Sequence, residues 1–491
     1  MKLLLSMRHA GALRNFASTV GELAARGHEL HVVFMRRGKR GDEAVLPEIT
    51  REHPSVSFEH AEDSAPWPWA DAAHDVRAAA DYLRYLAPQF RDAHALRARA
   101  ESRLPARWRA TLTGPAVRTP AGAATVAAML RTIEQALPAS PTVMKRVARY
   151  APDAVLVTPL VDLGSDQVEY IKAARTLGIR CGLCVHSWDN LTNKGLIHVA
   201  PDRVYVWNEA QKREAVEMHG IAASDVVVTG APVYDQWFAR EPSTTRAEFC
   251  ATVGLPANKP FFLYLCSSQF IAPHEDALIR RWIGALRGAA DARVREAGIL
   301  VRPHPRTHPK HVERFTFSEF PAVVVWPPSG ANPVDAASKN GYFDSLYHAA
   351  AAVGVNTSAQ IEAGIVGRPV YSIRVPEYVD TQEGTLHFHY LLNEGGGLLR
   401  IADTLETHAD ALASALDGGE ADERRVRGFV QHFVRPFGLD VPATPLLADG
   451  IETLARMRKP APRPCPPWLY PVRLALRVRT ARPAAAGRVA R

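Results

Sequence analysis

Cysteine is scarce and odd in number, five in 491 residues. That excludes a disulfide framework and points to a reducing compartment. Long apolar runs are missing as well: none reaches the roughly 18 residues that a membrane span requires. The opening MKLLLSMRHAGALRNF has too short an apolar core for a secretory leader. Together these absences predict a cytoplasmic protein. Acidic residues are absent from one stretch, since Arg456 to Arg491 holds ten Lys/Arg and no Asp/Glu. The formal charge of +8 therefore belongs to a tail. The body before it is near neutral and lacks the electrostatic footprint of a nucleic-acid binder. A second C-x-x-C is missing too. Cys181-Gly-Leu-Cys184 stands alone, so no zinc site is expected, and a strand-like setting gives neither thiol the helix dipole that redox motifs use. Both read as buried structural cysteines.

What is present is ordinary globular material, 47% hydrophobic and 22% charged, in a chain too long for one core. Lys2 to Ser6, a loop RHAGALRNF, a helix ending at Leu23 to Gly27 and a strand His28 to Phe34 open a doubly wound α/β domain. Residues 66–148 are Ala- and Arg-rich, with an amphipathic stretch Val76 to Leu86, and read as a helical insertion. Strand grammar resumes at 154–157, 180–185, 203–206 and 225–228. Residues 239–258 read as a polar linker. A second series opens at 260–265 and runs through 299–301, 323–326, 351–355 and 370–373, closed by helices near 403–416 and 422–434. The expected domains are 1–238 and 259–435, both Rossmann-like, then a return-helix region 436–458 and a basic Pro/Arg-rich tail 459–491. Pro460 to Pro467 should be extended, and Val472 to Arg479 fits a helix or a strand equally.

Polar clusters fall at the carboxyl ends of these strands, where parallel sheets bind ligands. In AAAAVGVNTSAQIEAGIVGRPVYSI, Thr357 and Gln360 have capping-box spacing before a helix that Gly367-Arg-Pro369 stops. Helix N-termini present free N–H groups to anions there. Ser267 and Ser268 follow the first strand of the second series, as phosphate donors or as a plain helix cap. In VRPHPRTHP, Pro303 and Pro305 hold the backbone extended around His304, with Arg302, Arg306 and His308 beside it. CVHSWDNLTNKG places His186, Asp189 and Lys194 after a buried strand, where a His and an Asp can form a base and its orienting partner or merely cap the next element. His387-Phe-His389 and Asn393-Glu-Gly-Gly-Gly397 lack diagnostic metal spacing and read as a substrate-facing loop.

Taken together, these stretches resemble a glycosyltransferase of the GT-B architecture, α/β with two Rossmann-like domains facing a cleft, here with a helical insertion in the first. MRHAGALRNFASTVGELAARGHELHVVF resembles the opening of that fold, and VGVNTSAQIEAGIVGRPVYSI its donor unit, in which a Ser/Thr pair contacts phosphate and a Glu the ribose. By resemblance these are Thr357, Ser358 and Glu362. RPHP and the earlier His loop are similar to the CDP-glycerol glycerophosphotransferase and capsule-polysaccharide transferase group, where a His-Gly-Thr…Lys loop and an Arg-x-His-Pro stretch each supply an active-site histidine. Here these would be His186 with Lys194, and His304. HSWDN stands in place of His-Gly-Thr, so Asp189 remains a candidate base beside His186.

The implied activity is metal-independent transfer of a sugar from a nucleotide-activated donor to a glycan or lipid-linked acceptor in surface-polysaccharide synthesis, with no cofactor. His186 or Asp189 would take the acceptor proton and His304 would meet the leaving phosphate. Arg302, Ser267, Ser268, Thr357, Ser358, Gln360 and Glu362 would hold the donor, with Arg8, His9 and Lys194 on the acceptor side. Closure of the two domains would keep water from the donor. The rivals are a nucleotide-sugar epimerase, a glycerophosphotransferase using an activated polyol phosphate, an inactive scaffold and a nucleic-acid binder working through the tail, for which the near-neutral body gives no support. The tail, with Trp468 and Tyr470 among basic residues, suits an anionic membrane surface at the inner face of the cell membrane or plain solvation.

Overall fold

The computed structural model describes residues 1–38, 42–43, 45–61, 67–305, 307, 309–328, 330, 332–463 and 465–480. Arg306, His308 and the tail beyond residue 480 lie outside them. The chain forms two compact units, Met1–Val233 joined by the segment from Pro442, and Tyr234–Val441.

The first unit is built on seven parallel strands, β1 Lys2–Met7, β2 Glu29–Phe34, β3 Val56–His60, β4 Ala154–Thr158, β5 Arg180–Cys184, β6 Arg203–Val206 and β7 Val226–Val228, in the order β3-β2-β1-β4-β5-β6-β7. Near-continuous apolar strands need cover on both faces. One face sets Leu4, Val155, Val157 and Leu183 against Val147, Tyr170 and Ile171 of the helices Pro141–Tyr150 and Val168–Leu177. The other sets Leu3, Leu5, Val32 and Leu156 against Val20 and Leu23 of the helix Ala17–Ala25, and against Leu447, Ile451 and Leu454 of the helix Ala443–Arg456. Cys181 joins the first face and Cys184 the second, and burial pushes both thiols up to about 12.

The insertion holds helices and no strand among its described residues, with helices Ala70–Arg84, His94–Ser102, Ala106–Leu112, Pro115–Arg118 and Pro120–Ala136 leading into Pro141–Tyr150. It is anchored by charge as well as by apolar contact. Arg77, 1% exposed, donates from Nε and Nη2 to Glu134 at 3.0 and 2.8 Å, and also to Glu169, while Lys172 Nζ reaches Glu134 Oε1 at 3.0 Å. Buried charge survives in a fold only when paired in this way.

The second unit has six parallel strands, β8 Phe261–Leu265, β9 Gly298–Arg302, β10 Val323–Val325, β11 Ala351–Val353, β12 Val370–Ile373 and β13 Leu399–Ala402, in the order β10-β9-β8-β11-β12-β13. The expected α/β class with two Rossmann-like units is therefore what the chain adopts. One local expectation needs correction, and the structure adds two further points. Residues 239–258 are not a plain linker: Thr245 and Glu248 form a capping box that opens the helix Arg246–Val253, Gly254 at φ +85° closes it, and Phe249 and Cys250 are buried. Edge strands β3 and β13 are short, both interrupted by polar residues, and not announced by the pattern. The tail is helical over Tyr470–Thr480, which settles an ambiguity of period.

Candidate functional site

In the first sheet the strand order reverses between β1 and β4, the position where parallel sheets open for ligands. Arg8 follows β1 and Asp162 lies in the loop after β4, and the two join across that switch point: Nη1 donates to Oδ1 at 3.2 Å and Nε lies 3.2 Å from Oδ2. His9 Nδ1 sits 3.5 Å from Asp42 Oδ2. The β4 loop keeps its shape because the Gln167 amide accepts from the Leu160 N–H at 3.0 Å and donates to the Ser6 and Thr158 carbonyls at 3.0 and 2.9 Å.

His186 follows β5. The residue is partly exposed, but its Nδ1 is enclosed and has no hydrogen-bond partner among the described residues. Burial pushes the imidazole down to about 4. Asp189 opposes this, Lys194 adds to it, and Asp162 and Arg14 act in the same two senses more weakly. The ring is therefore neutral near pH 7, with a lone pair or N–H to offer. Asp189 does not orient it. Its carboxylate accepts from Ser187 Oγ at 2.5 Å and Asn193 Nδ2 at 2.8 Å, which closes its own loop around the short helix Asn190–Asn193.

The insertion grips this loop by its carbonyls. Arg84 Nη1 donates to the Lys194 and Gly195 carbonyls, each at 2.8 Å, and Nη2 donates to Leu191 O. Tyr85 OH donates to Lys194 O at 2.7 Å, and Arg99 donates to Asn193 O. Asp81 accepts from the Leu196 N–H at 2.7 Å, and a Cβ on Gly195 would stand 2.7 Å from that carboxylate, so any larger residue there must displace it. None of these four insertion residues was singled out from the sequence. The available signal was charge on the inner side of an amphipathic helix: Arg77, Asp81 and Arg84 recur at helical spacing beside buried alanines.

In the second sheet the order reverses between β8 and β11. The loops after these strands are stitched together, for Asn356 donates its N–H to Ser267 Oγ at 3.1 Å. Ser267 in turn gives its N–H to Glu275 at 2.8 Å, so that N–H is already engaged within the fold. Ser268 is partly exposed. Thr357 and Gln360 make half of the expected box. Gln360 Oε1 accepts from the Thr357 N–H at 3.1 Å, no side chain caps the helix, and the helix itself runs Ala359–Ile365 behind an exposed Ser358. Gln360 is fully buried, its amide also donating to Gly354 O at 3.0 Å. It braces the loop from within and does not face a ligand.

Arg302, the last residue of β9, is 7% exposed. Its guanidinium carbon lies 4.1 Å from the Tyr342 ring centre and 5.6 Å from that of Trp326, and Nη1 is enclosed without a hydrogen-bond partner among the described residues. Burial lowers the stability of its charge, which Tyr342 and Glu362 restore in part. The Tyr342 hydroxyl donates to Glu362 Oε2, and Trp237 packs edge-on against the same ring at 5.5 Å. Thus Arg302 and Glu362 share one aromatic-walled corner. Tyr342, Trp326 and Trp237 carried no motif that would flag them. His304, two residues on, is half-buried, its carbonyl accepting from the Thr307 N–H at 2.8 Å. His387 and His389 lie in the helix Leu386–Asn393 rather than a loop, and His387 is buried.

No protein-family profile and no curated protein matches the sequence. Solved structures do resemble the fold. A glycosyltransferase from Rickettsia africae is 11% identical, with 93% of this chain and 99% of that one covered and a TM-score of 0.54. The UDP-GlcNAc 2-epimerase of Neisseria meningitidis bound to UDP-GlcNAc is 12% identical, with 92% and 100% covered and a TM-score of 0.53. S. aureus MnaA with UDP is 11% identical, with 94% and 100% covered and a TM-score of 0.53.

Proposed function

We propose that the chain is a group transferase acting on a nucleotide-activated sugar, of the GT-B glycosyltransferase kind. The observation that carries this is the corner of Arg302, Tyr342 and Glu362. An enclosed guanidinium with an unused N–H, at the carboxyl end of a parallel strand, suits a phosphate oxygen, because an unpaired buried donor is costly until a ligand fills it. Glu362, held by the Tyr342 hydroxyl, suits the ribose hydroxyls. His304 would sit by the leaving phosphate, with Thr357, Ser358, Ser267 and Ser268 in the loops around the donor. In the first unit, neutral His186 would take the proton of the acceptor hydroxyl, with Arg8, His9, Lys194 and the loop-closing Asp189 around it. That solved proteins of this fold bind UDP or UDP-GlcNAc supports the nucleotide. The likeness of RPHP and the His186 loop to glycerophosphotransferases and capsule transferases favours transfer to a glycan or lipid-linked acceptor in surface-polysaccharide synthesis over epimerisation.

Melting temperatures across UDP, CDP, GDP, dTDP and CMP test the donor site. One nucleotide should raise the wild type, and Glu362→Gln should weaken that binding by about 10-fold or more, the worth of about 1.5–3 kcal/mol for a hydrogen bond to a charged group. Its own melting temperature should move little. With the matching sugar nucleotide, His304→Ala should lower turnover by on the order of 10². An epimer formed from donor alone would replace transferase by epimerase. No nucleotide response at all would sink both.

A further inference from the structure

The stretch from Lys459 to Thr480 is attached to the first unit. Arg463 gives its N–H to Arg175 O at 2.9 Å, and a Cβ on Gly178 would stand 2.7 Å from Pro460 O, so the chain passes closely over that glycine. Leu469 is fully buried, and Arg473 Nε donates to Ala136 O at 2.8 Å, at the end of the inserted helix Pro120–Ala136. A merely solvating tail has no reason to be tied down at these points.

Once fixed, the segment leaves three large side chains in solvent. Trp468 is 64% exposed, Tyr470 51% and Leu474 63%, while Met129 on the helix beneath is 59% exposed. Tyr470 and Leu474 are four apart on one helix and share a face. Arg131, on the same inserted helix, is exposed as well, and the insertion as a whole is basic. Between Arg91 and Arg131 the insertion has eight arginines against two acids, Asp92 and Glu101. Arg103, Arg107, Arg109, Arg118 and Arg131 are all exposed. The tail itself carries no acid.

We propose that this surface, the helix Tyr470–Thr480 with the inserted helix Pro120–Ala136 beneath it, docks on an anionic phospholipid bilayer. Trp and Tyr favour the headgroup level, an exposed Leu favours the acyl boundary, and arginines beside them meet lipid phosphates. A nucleic acid would use the arginines but gains little from exposed Leu474 and Met129. A second copy would present the same positive field and be repelled. The assignment uses no catalytic residue and stands or falls apart from the transferase reading.

Flotation of the full-length protein with phosphatidylcholine vesicles, with and without phosphatidylglycerol, tests it. Wild type should float with the anionic vesicles only and be released by salt. Trp468→Ala with Leu474→Glu, which alters exposed side chains alone, should lower the bound fraction by about tenfold at an unchanged melting temperature. Arg131→Gln, on the contacting helix, should lower it several-fold. No flotation, flotation equal on neutral vesicles, or binding indifferent to the Trp468/Leu474 pair would overturn the proposal. So would variant-insensitive retention on duplex DNA, which points to nucleic acid, or a dimer that Leu474→Glu dissolves, which points to self-association.

Discussion

Glu275 lies wholly inside the second unit, accepting from the Ser267 N–H at 2.8 Å and the Tyr264 hydroxyl at 3.2 Å. Burial pushes its carboxyl up from 4.5 to about 8, more than those two hydrogen bonds pull it down. Between those two values the folded chain holds a proton that the unfolded chain has released. Stability contributed by the neutral carboxyl is therefore complete below pH 4.5, declines as pH rises towards 8, and is level above. Glutamine keeps a neutral group of the same shape at that point. Glu275→Gln should thus match wild type near pH 4.5 and melt higher above pH 8, and parallel melting curves for the two across that range would refute the assignment. The same residue explains a limit of sequence reading. Ser267 stood out as a strand-end serine, yet nothing in LCSSQF reveals that a carboxyl eight residues on already holds its N–H. Arg302 was legible because a charge at the end of an apolar strand is conspicuous. Its ring partners Tyr342 and Trp326 come from other elements and were not.

At the scale of elements, the loop from His186 to Ile197 cannot stand alone. Its helix is four residues long, far below the length at which helices persist unaided. The insertion supplies what it lacks, and Arg84 alone donates to three of its carbonyls. Removing that guanidinium leaves buried acceptors unpaired, each at a cost of about 1–3 kcal/mol. Arg84→Met should speed amide hydrogen exchange across residues 189–197 well beyond the rest of the first unit, whereas Arg84→Lys should restore part of the protection. Unchanged exchange in that loop would show that the grip is incidental. Sequence periodicity found the helix carrying Arg84, since Val76 to Leu86 is amphipathic. It hid the role of Arg77, Asp81 and Arg84, which break the apolar stripe on the buried side. The capping box Thr245–Glu248 was open to reading but sat in a stretch whose Pro, Ser and Thr content suggests a linker.

For the whole molecule, strands such as Leu3-Leu4-Leu5 and Phe261-Phe-Leu-Tyr-Leu265 were legible because burial on both faces writes continuous apolar runs into the chain. The return of the chain to the first unit is of another kind. It rests on pairs hundreds of residues apart, such as Tyr205 OH on Gly450 O at 2.6 Å, where a Cβ on Gly450 would stand 2.7 Å from the tyrosine ring. Leu447, Ile451 and Leu454, each at most 2% exposed, fill one face of the first sheet. Losing a buried Leu or Ile side chain costs about 2–5 kcal/mol, so three approach the about 5–15 kcal/mol that holds a typical domain together. A chain ending at Val441 should therefore lose the first unit and keep the second, whose residues 234–441 are untouched. A chain ending at Lys459 retains all three residues and serves as the control. Limited proteolysis with mass spectrometry should leave the Val441 truncation as a resistant fragment beginning near Tyr234, while the control keeps a fragment that still includes β1. Equal resistance of residues 1–233 in both chains would show that the first sheet does not need its returning helix.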